Sequence, residues 1–205
     1  MKLAIFFGTR PEIIKMASIV HKIRQKKEIQ PILIHTGQHY DWEMSSIFIK
    51  ELYSEEPDYF LNVRSGSHAI QTARIIARAE KVLLKEKPDF VMILGDTTSV
   101  LGVAIAAAKL HLNVLHLEAG CRSYDHKMPE EINRKIVSHV SFMNFAPSPR
   151  SYLNLLFEGI PMYKNFLVGH PIVSLLYEIK DKIKSNILQE LNITKKDFIV
   201  LTVHR

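Results

Sequence analysis

The stretch Leu3 to Ile23, LAIFFGTRPEIIKMASIVHKI, carries the reading that decides the fold. Its first five residues, Leu3 to Phe7, are apolar without alternation and stop at Gly8. Such a run reads as a strand buried on both faces, as parallel sheets require. Thr9 and Glu12 follow at capping-box spacing, with Pro11 in the first turn. Ile13, Met16, Ala17, Val20 and Ile23 then recur at helical spacing, which predicts a helix to about Lys27. Strand, glycine turn and capped helix make the first half of a βαβ unit.

The same unit recurs along the chain. Ile32 to His35 reads as a second strand broken by Gly37, followed by a polar-aromatic loop and a short helix over Ser45 to Leu52. A long helix is predicted from His68 to Lys85. Phe90 to Leu94 is an unbroken apolar strand closed by Gly95-Asp96-Thr97-Thr98, and small apolar residues make a helix of Val100 to Leu110. Val114 to Leu117 is the next strand, closed by Glu118-Ala119-Gly120, with a helix from Glu130 to about Phe142. Short strands near Asn144 to Ala146 and Phe166 to Val168 alternate with helices over Ser151 to Glu158 and Ile172 to Lys184. This alternation predicts an α/β fold, a Rossmann-like doubly wound parallel sheet. Phe198 to Val203, FIVLTV, reads as one more buried strand, which needs partners. Either they lie in a second α/β domain or the strand extends the first sheet.

Composition narrows the function classes. The 205 residues are 47% hydrophobic and 23% charged, a globular balance that excludes disordered and fibrous classes. A single cysteine, Cys121, excludes a disulfide framework and a cysteine-based zinc site. No uncharged run approaches the roughly 18 apolar residues of a membrane span. Arg10 interrupts the first apolar stretch too early for a signal peptide, so a cytoplasmic location with no membrane partner is expected. The net charge of +6 is spread over scattered lysines, with no RNP motif or zinc finger, so no nucleic-acid partner is expected.

In open α/β sheets ligands bind beyond the carboxyl ends of the strands. The residues there are Gly8, Thr9, Arg10 and Lys15; then Gln38 and His39; then Asp96 and Thr97; then Glu118, Arg122, Glu130, Glu131 and Arg134. Carboxylates supply general acids and bases, while cations and helix N-termini favour phosphate. The set therefore suits proton transfer on a phosphorylated substrate. Each residue also has a plainer reading. Thr9 and Glu12 can simply cap a helix, and Glu130 and Glu131 stand four residues before Arg134 and Lys135 as surface pairs. Glu118 resists such a reading, because it puts a carboxylate at the mouth of an apolar strand. No G-x-G-x-x-G or Walker sequence follows any strand, so neither a nicotinamide fingerprint nor a P-loop is present.

Eight segments in chain order carry a resemblance: FGTRPEIIKM (Phe7 to Met16), TGQHYD (Thr36 to Asp41), LGDTTS (Leu94 to Ser99), HLEAGCRS (His116 to Ser123), MPEEINR (Met128 to Arg134), Ser148-Pro149, VGHPIVS (Val168 to Ser174) and the terminal LTVHR. Together they resemble the non-hydrolysing UDP-N-acetylglucosamine 2-epimerases. The resemblance implies a glycosyltransferase-B type fold of two Rossmann-like domains with the site between them. It implies interconversion of UDP-N-acetylglucosamine and UDP-N-acetylmannosamine at C2, by elimination and re-addition of UDP, with no cofactor or metal. By the same resemblance Asp96, Glu118, Glu130 and His204 are catalytic, and Arg10, Lys15 and Arg134 bind substrate. Gln38 and His39 match a loop with an allosteric role in some members, and a homodimer is implied.

The same resemblance implies the domain boundaries: residues 1–170 are expected as the N-terminal domain with the carboxylates, 171–197 as a linking helix and connector, and 198–205 as the first strand of a truncated UDP-binding domain. The 205-residue chain alone is then expected to be inactive. Related alternatives are a hydrolysing epimerase and a 2-epimerase of a diacetamido-uronate sugar nucleotide. A non-catalytic binding or assembly module is the alternative of another class.

Overall fold

Both faces of the first strand are apolar because both are covered. In a computed structural model that describes residues 1–37, 42–183, 186–193 and 198–203, Leu3, Ile5 and Phe7 pack into one core, and Ala4 and Phe6 into another on the opposite face. The strand is β1 (Lys2–Phe7), and it belongs to a seven-stranded sheet with β2 (Gln30–His35), β3 (Tyr59–Phe60), β4 (Phe90–Leu94), β5 (Asn113–Leu117), β6 (Met143–Ala146) and β7 (Asn165–Leu167). The helices are α1 (Arg10–Arg24), α2 (Trp42–Tyr53), α3 (His68–Glu86), α4 (Thr98–Lys109), α5 (Pro129–Val140), α6 (Pro149–Phe157), α7 (Pro171–Ile179) and the short α8 (Ile187–Glu190). The strand order is β3-β2-β1-β4-β5-β6-β7, and every pairing is parallel. This is the doubly wound sheet the alternation predicts. Its winding reverses between β1 and β4, the switch point where such sheets bind ligands.

Ile13, Met16 and Val20 of α1, Ile49 and Tyr53 of α2, and Leu175 of α7 cover the face of Leu3, Ile5 and Phe7. The Tyr53 hydroxyl donates to the Ile13 carbonyl at 2.7 Å, tying α2 to α1. Ile75 and Ala79 of α3 and Val103 and Ala107 of α4 cover the other face. Each such large side chain, fully buried, contributes roughly 1.5–3 kcal/mol. The small residues of α4 let α3 come close: a Cβ on Gly102 would stand 2.6 Å from Ile75 Cγ2.

Helix ends fall where core contact ends. The helix expected to reach Lys184 stops at Ile179, its last residue against the core, and a 3-10 turn over Lys180–Lys182 follows. With Ile172, Leu175 and Ile179 in the core, α7 is a structural helix of this domain as well as the start of the expected link. The helix expected to reach Phe142 stops at Val140, because the Phe142 amide donates to the Val114 carbonyl at 2.9 Å and leads into β6. Residues 198–203, expected as a buried strand, form none here and add no strand to the sheet. Ile199 is 92% exposed and Val203 83% exposed. A strand needs a neighbour to pair with, and among the described residues none pairs with this segment. Among the described residues no helix is long and apolar enough to cross a membrane.

The turn after β5 depends on one glycine. Gly120 has φ +81°, and a Cβ there would lie 2.1 Å from the Ser151 carbonyl oxygen at the start of α6. That oxygen is backbone and cannot rotate away. Gly159 has the same φ of +81° with nothing within 4 Å of its would-be Cβ. Gly159→Ala should therefore cost only left-handed strain, about 1 kcal/mol, in urea unfolding. Gly120→Ala should cost ~2 kcal/mol more, from overpacking. Equal costs would show that the start of α6 yields.

Candidate active site

The loops after β1 and β4 flank the switch point, and one side chain joins them. Glu12, in the first turn of α1, accepts hydrogen bonds at Oε2 from the Gly8 and Thr9 amides, at 2.5 and 3.0 Å. At Oε1 it accepts one from the Thr97 hydroxyl at 2.7 Å. Thr97 caps α4 and follows Asp96 directly. Glu12 is 3% exposed. Burial pushes its carboxyl up to about 7, against the pull of the bonds from Thr97, Gly8 and Thr9, and the nearby Asp96 charge adds to the rise. The capping role read from the sequence is real, but the same group also crosses the switch point.

Glu118 follows β5 in the left-handed conformation, φ 60°. Its Oε2 accepts a hydrogen bond from Lys15 Nζ at 2.9 Å. Its Oε1 lies 3.0 Å from Nε2 of His170, the residue that caps α7. The sheet fixes the approach of β4 to β5. His116 Nε2 contacts the Gly95 carbonyl at 2.8 Å, and the Gly95 amide donates to the Leu117 carbonyl at 3.0 Å. Burial pushes the His116 imidazole down to about 4.

Asp96 is held by α5. Arg134 Nε donates to its Oδ2 at 2.7 Å, Arg134 Nη2 lies 2.6 Å from the same oxygen, and Asn133 donates to its backbone carbonyl at 2.7 Å. The other side of the Arg134 guanidinium donates to Glu131 Oε2 at 3.0 Å. Glu131 is 1% exposed and also accepts from the Ser123 amide and hydroxyl and the Tyr124 amide. Burial pushes its carboxyl up, but the bonds from Ser123, Arg134 and Tyr124 outweigh that and hold it down at about 2.

The structure thus brings together Asp96, Glu118, Lys15 and Arg134, all named from the sequence. Glu130 sits half-buried in the first turn of α5 and makes no hydrogen bond or ion pair among the described residues. The Arg134 side chain engages Asp96 and Glu131 and makes no ion pair with Glu130 among the described residues. The Arg10 guanidinium stands 5.8 Å from the Phe48 ring centroid and makes no ion pair among the described residues. Gln38, His39 and His204 lie outside the described residues. Arg122 leaves the rim: its side chain is fully buried in a two-pronged pair with Glu158, at 2.7 and 2.6 Å. Two contributors lie outside the sequence reading of the rim, and a third changes its role. Glu131, placed on the rim by the strand-end rule, is buried and orients Arg134; Glu12 reads from spacing as a cap alone. His170 follows β7 as Asp96 follows β4, so the strand-end rule applied to the seventh strand would have found it.

A pH measurement isolates Glu12. The folded chain keeps its proton up to about pH 7, whereas the unfolded chain releases it near the ordinary 4.5. Its effect on stability is therefore a loss as pH rises from about 4.5 to about 7, flat above that. His35 and His116, pushed down to about 4 by burial, impose the opposite slope in much of this window. The difference between wild type and Glu12→Gln cancels those histidines. A glutamine keeps one oxygen for the two amides and donates its NH2 to Thr97. The variant should gain ~3 kcal/mol on the wild type between about pH 4 and pH 8 in denaturant titrations. A difference independent of pH would contradict the assignment.

Comparison with known proteins fits this geometry. The family model described as UDP-N-acetylglucosamine 2-epimerase matches residues 21–205. A Methanococcus maripaludis protein named a UDP-N-acetylglucosamine 2-epimerase homolog is 47% identical over 208 residues, all of this chain and 57% of that protein. A Pseudomonas aeruginosa UDP-2,3-diacetamido-2,3-dideoxy-D-glucuronate 2-epimerase is 43% identical over 159 residues, 78% of this chain and 45% of its own length. The crystal structure of Methanocaldococcus jannaschii UDP-GlcNAc 2-epimerase in complex with UDP-GlcNAc and UDP matches with a TM-score of 0.87 at 46% identity. It covers 93% of this chain and 53% of that one. The chain therefore spans about half the length of the relatives it matches. On the family match, the parallel sheet and the carboxylates at its rim, the chain belongs to the UDP-N-acetylglucosamine 2-epimerase family.

Proposed function

We propose that this chain supplies the carboxylate-bearing half of an enzyme that inverts C2 of UDP-N-acetylglucosamine without hydrolysing it. The observation that carries the reading is the pairing of two carboxylates with two cations at adjoining strand ends: Asp96 with Arg134 and Glu118 with Lys15. Beside them stands Glu130, with its carboxylate unengaged. In the proposed reaction a carboxylate takes the C2 proton and the C1–oxygen bond to UDP breaks. A C1=C2 double bond forms and UDP departs as the anion. Re-addition of UDP at C1, with proton delivery to the other face of C2, gives UDP-N-acetylmannosamine. Base and acid on opposite faces call for more than one carboxylate. Fixed cations stabilise the charge as UDP departs.

In this reading Asp96, Glu118 and Glu130 act with His204, and Lys15 and Arg134 bind substrate while holding the carboxylates for proton transfer. Arg10 contacts substrate, and Gln38 and His39 form a regulatory contact. The domain division at 170 and 197, a cytoplasmic location and a homodimer belong to the same proposal. The exposed row Ile132, Ile136 and Val140 along α5 supports the dimer, since it repeats every four residues on one helix face. A second reading has its own support in the Pseudomonas relative, whose named substrate carries an additional carboxylate. Arg10 makes no ion pair among the described residues and is a cation that such a carboxylate could meet.

The test replaces the matching half of the Methanocaldococcus jannaschii enzyme with residues 1–205 and follows products by proton NMR. With UDP-N-acetylglucosamine, UDP-N-acetylmannosamine should appear without free N-acetylmannosamine. Asp96→Asn and Glu118→Gln should each lower kcat by about 10²–10⁴-fold while UDP binding stays within a few-fold. A folded chimera that binds UDP but releases free sugar would mean hydrolysis. One that turns over only the diacetamido-uronate nucleotide would mean the second reading. A chimera that binds UDP and acts on neither would contradict both.

A further inference from the structure

Two atoms of one imidazole make different contacts, and together they fix where its proton lies. His170 caps α7: its Nδ1 accepts a hydrogen bond from the Ile172 amide at 3.3 Å. A nitrogen that accepts from a backbone N–H has its lone pair engaged and bears no proton. The proton of the neutral ring must then sit on Nε2, which lies 3.0 Å from Glu118 Oε1. That oxygen is buried and accepts no aligned hydrogen bond among the described residues, while Lys15 holds Oε2. Hydrogen bonds of this kind often tighten only when substrate is bound. At 3.0 Å the two atoms are already within hydrogen-bond distance, so alignment alone separates them from a bond.

From this geometry we infer that His170 is a positioning residue for Glu118, clamping its carboxylate against Lys15 through a proton whose place the α7 cap dictates. The inference rests on the reading of Glu118 as a catalytic carboxylate. The cap at Nδ1 and the proton at Nε2 are two functions of one side chain, and substitution separates them. Asn at 170 places its oxygen where Nδ1 stands, so it caps the helix but stops short of Glu118. Gln at 170 reaches the position of Nε2 and gives up the cap.

The experiment measures both functions. Imidazole nitrogen NMR on the 205-residue chain should show His170 as the Nε2–H tautomer, and Glu118→Gln should move the Nε2 resonance. In the chimera, His170→Asn should unfold like the parent yet lose roughly 10- to 100-fold in kcat, as expected for a misplaced reacting group, with KM little changed. His170→Gln should be the less stable variant and the more active one. A purely structural cap predicts the reverse order of activities, and that order would overturn the inference. So would an Nδ1–H tautomer, or a resonance indifferent to Glu118→Gln. An inactive parent chimera would refute the functional reading alone, because the nitrogen spectra decide the His170–Glu118 contact without turnover.

Discussion

The rim depends on a single carboxyl group at the switch point. A parallel sheet that winds in both directions from its centre leaves two neighbouring loops diverging at the same edge, here after β1 and β4. Glu12 closes that divergence by binding the Gly8 and Thr9 amides on one side and the Thr97 hydroxyl on the other. Gly8 makes the closure possible, since a Cβ there would stand 2.1 Å from the Thr36 hydroxyl and 2.5 Å from that of Ser99. Those two hydroxyls are themselves hydrogen-bonded at 2.7 Å, so β2 and α4 meet directly beneath the glycine. A carboxyl raised to about 7 suits this task, because the Thr97 hydroxyl can donate to it when ionised and accept from it when protonated.

Charge at the rim is arranged in advance of any substrate. Asp96 and Glu118 end neighbouring strands, and each meets a cation rooted in a helix packed on the sheet: Lys15 in α1 and Arg134 in α5. Arg134 is itself oriented by Glu131, whose ionised form is secured by four donors. Dipoles and charges fixed before reaction need no reorganisation when charge moves, and that is how such sites lower barriers. The positive φ of Glu118 belongs to the same economy, since unusual backbone at a functional turn persists only where its surroundings enforce it. Gly120, pressed against the Ser151 carbonyl, supplies part of that enforcement.

How much of this was legible in the sequence follows from which signals are local. The unbroken apolar runs at Leu3 to Phe7 and Phe90 to Leu94 announced buried parallel strands, and the strand-end rule then placed Asp96 and Glu118 on one rim. The strand-end rule places Glu131 on the rim too, but its burial is not legible, because Glu130-Glu131 before Arg134-Lys135 looks the same on a surface helix. Only the fold of the Ser123–Tyr124 turn over α5 distinguishes a buried, fourfold-bonded carboxylate from a solvated one. Arg122 failed for the converse reason: its partner, Glu158, is 36 residues away and invisible to spacing. His170 lies in VGHPIVS, yet its meaning depends on the last strand ending beside β6, which is a fact of topology.

The central claim is that the rim of Asp96, Glu118 and Glu130 removes a proton from C2 of a UDP-sugar. Turnover of UDP-N-acetylglucosamine in deuterium oxide by the chimera carrying residues 1–205 measures this most directly. The account predicts UDP-N-acetylmannosamine bearing deuterium at C2. Product that keeps its original hydrogen at C2 would contradict it.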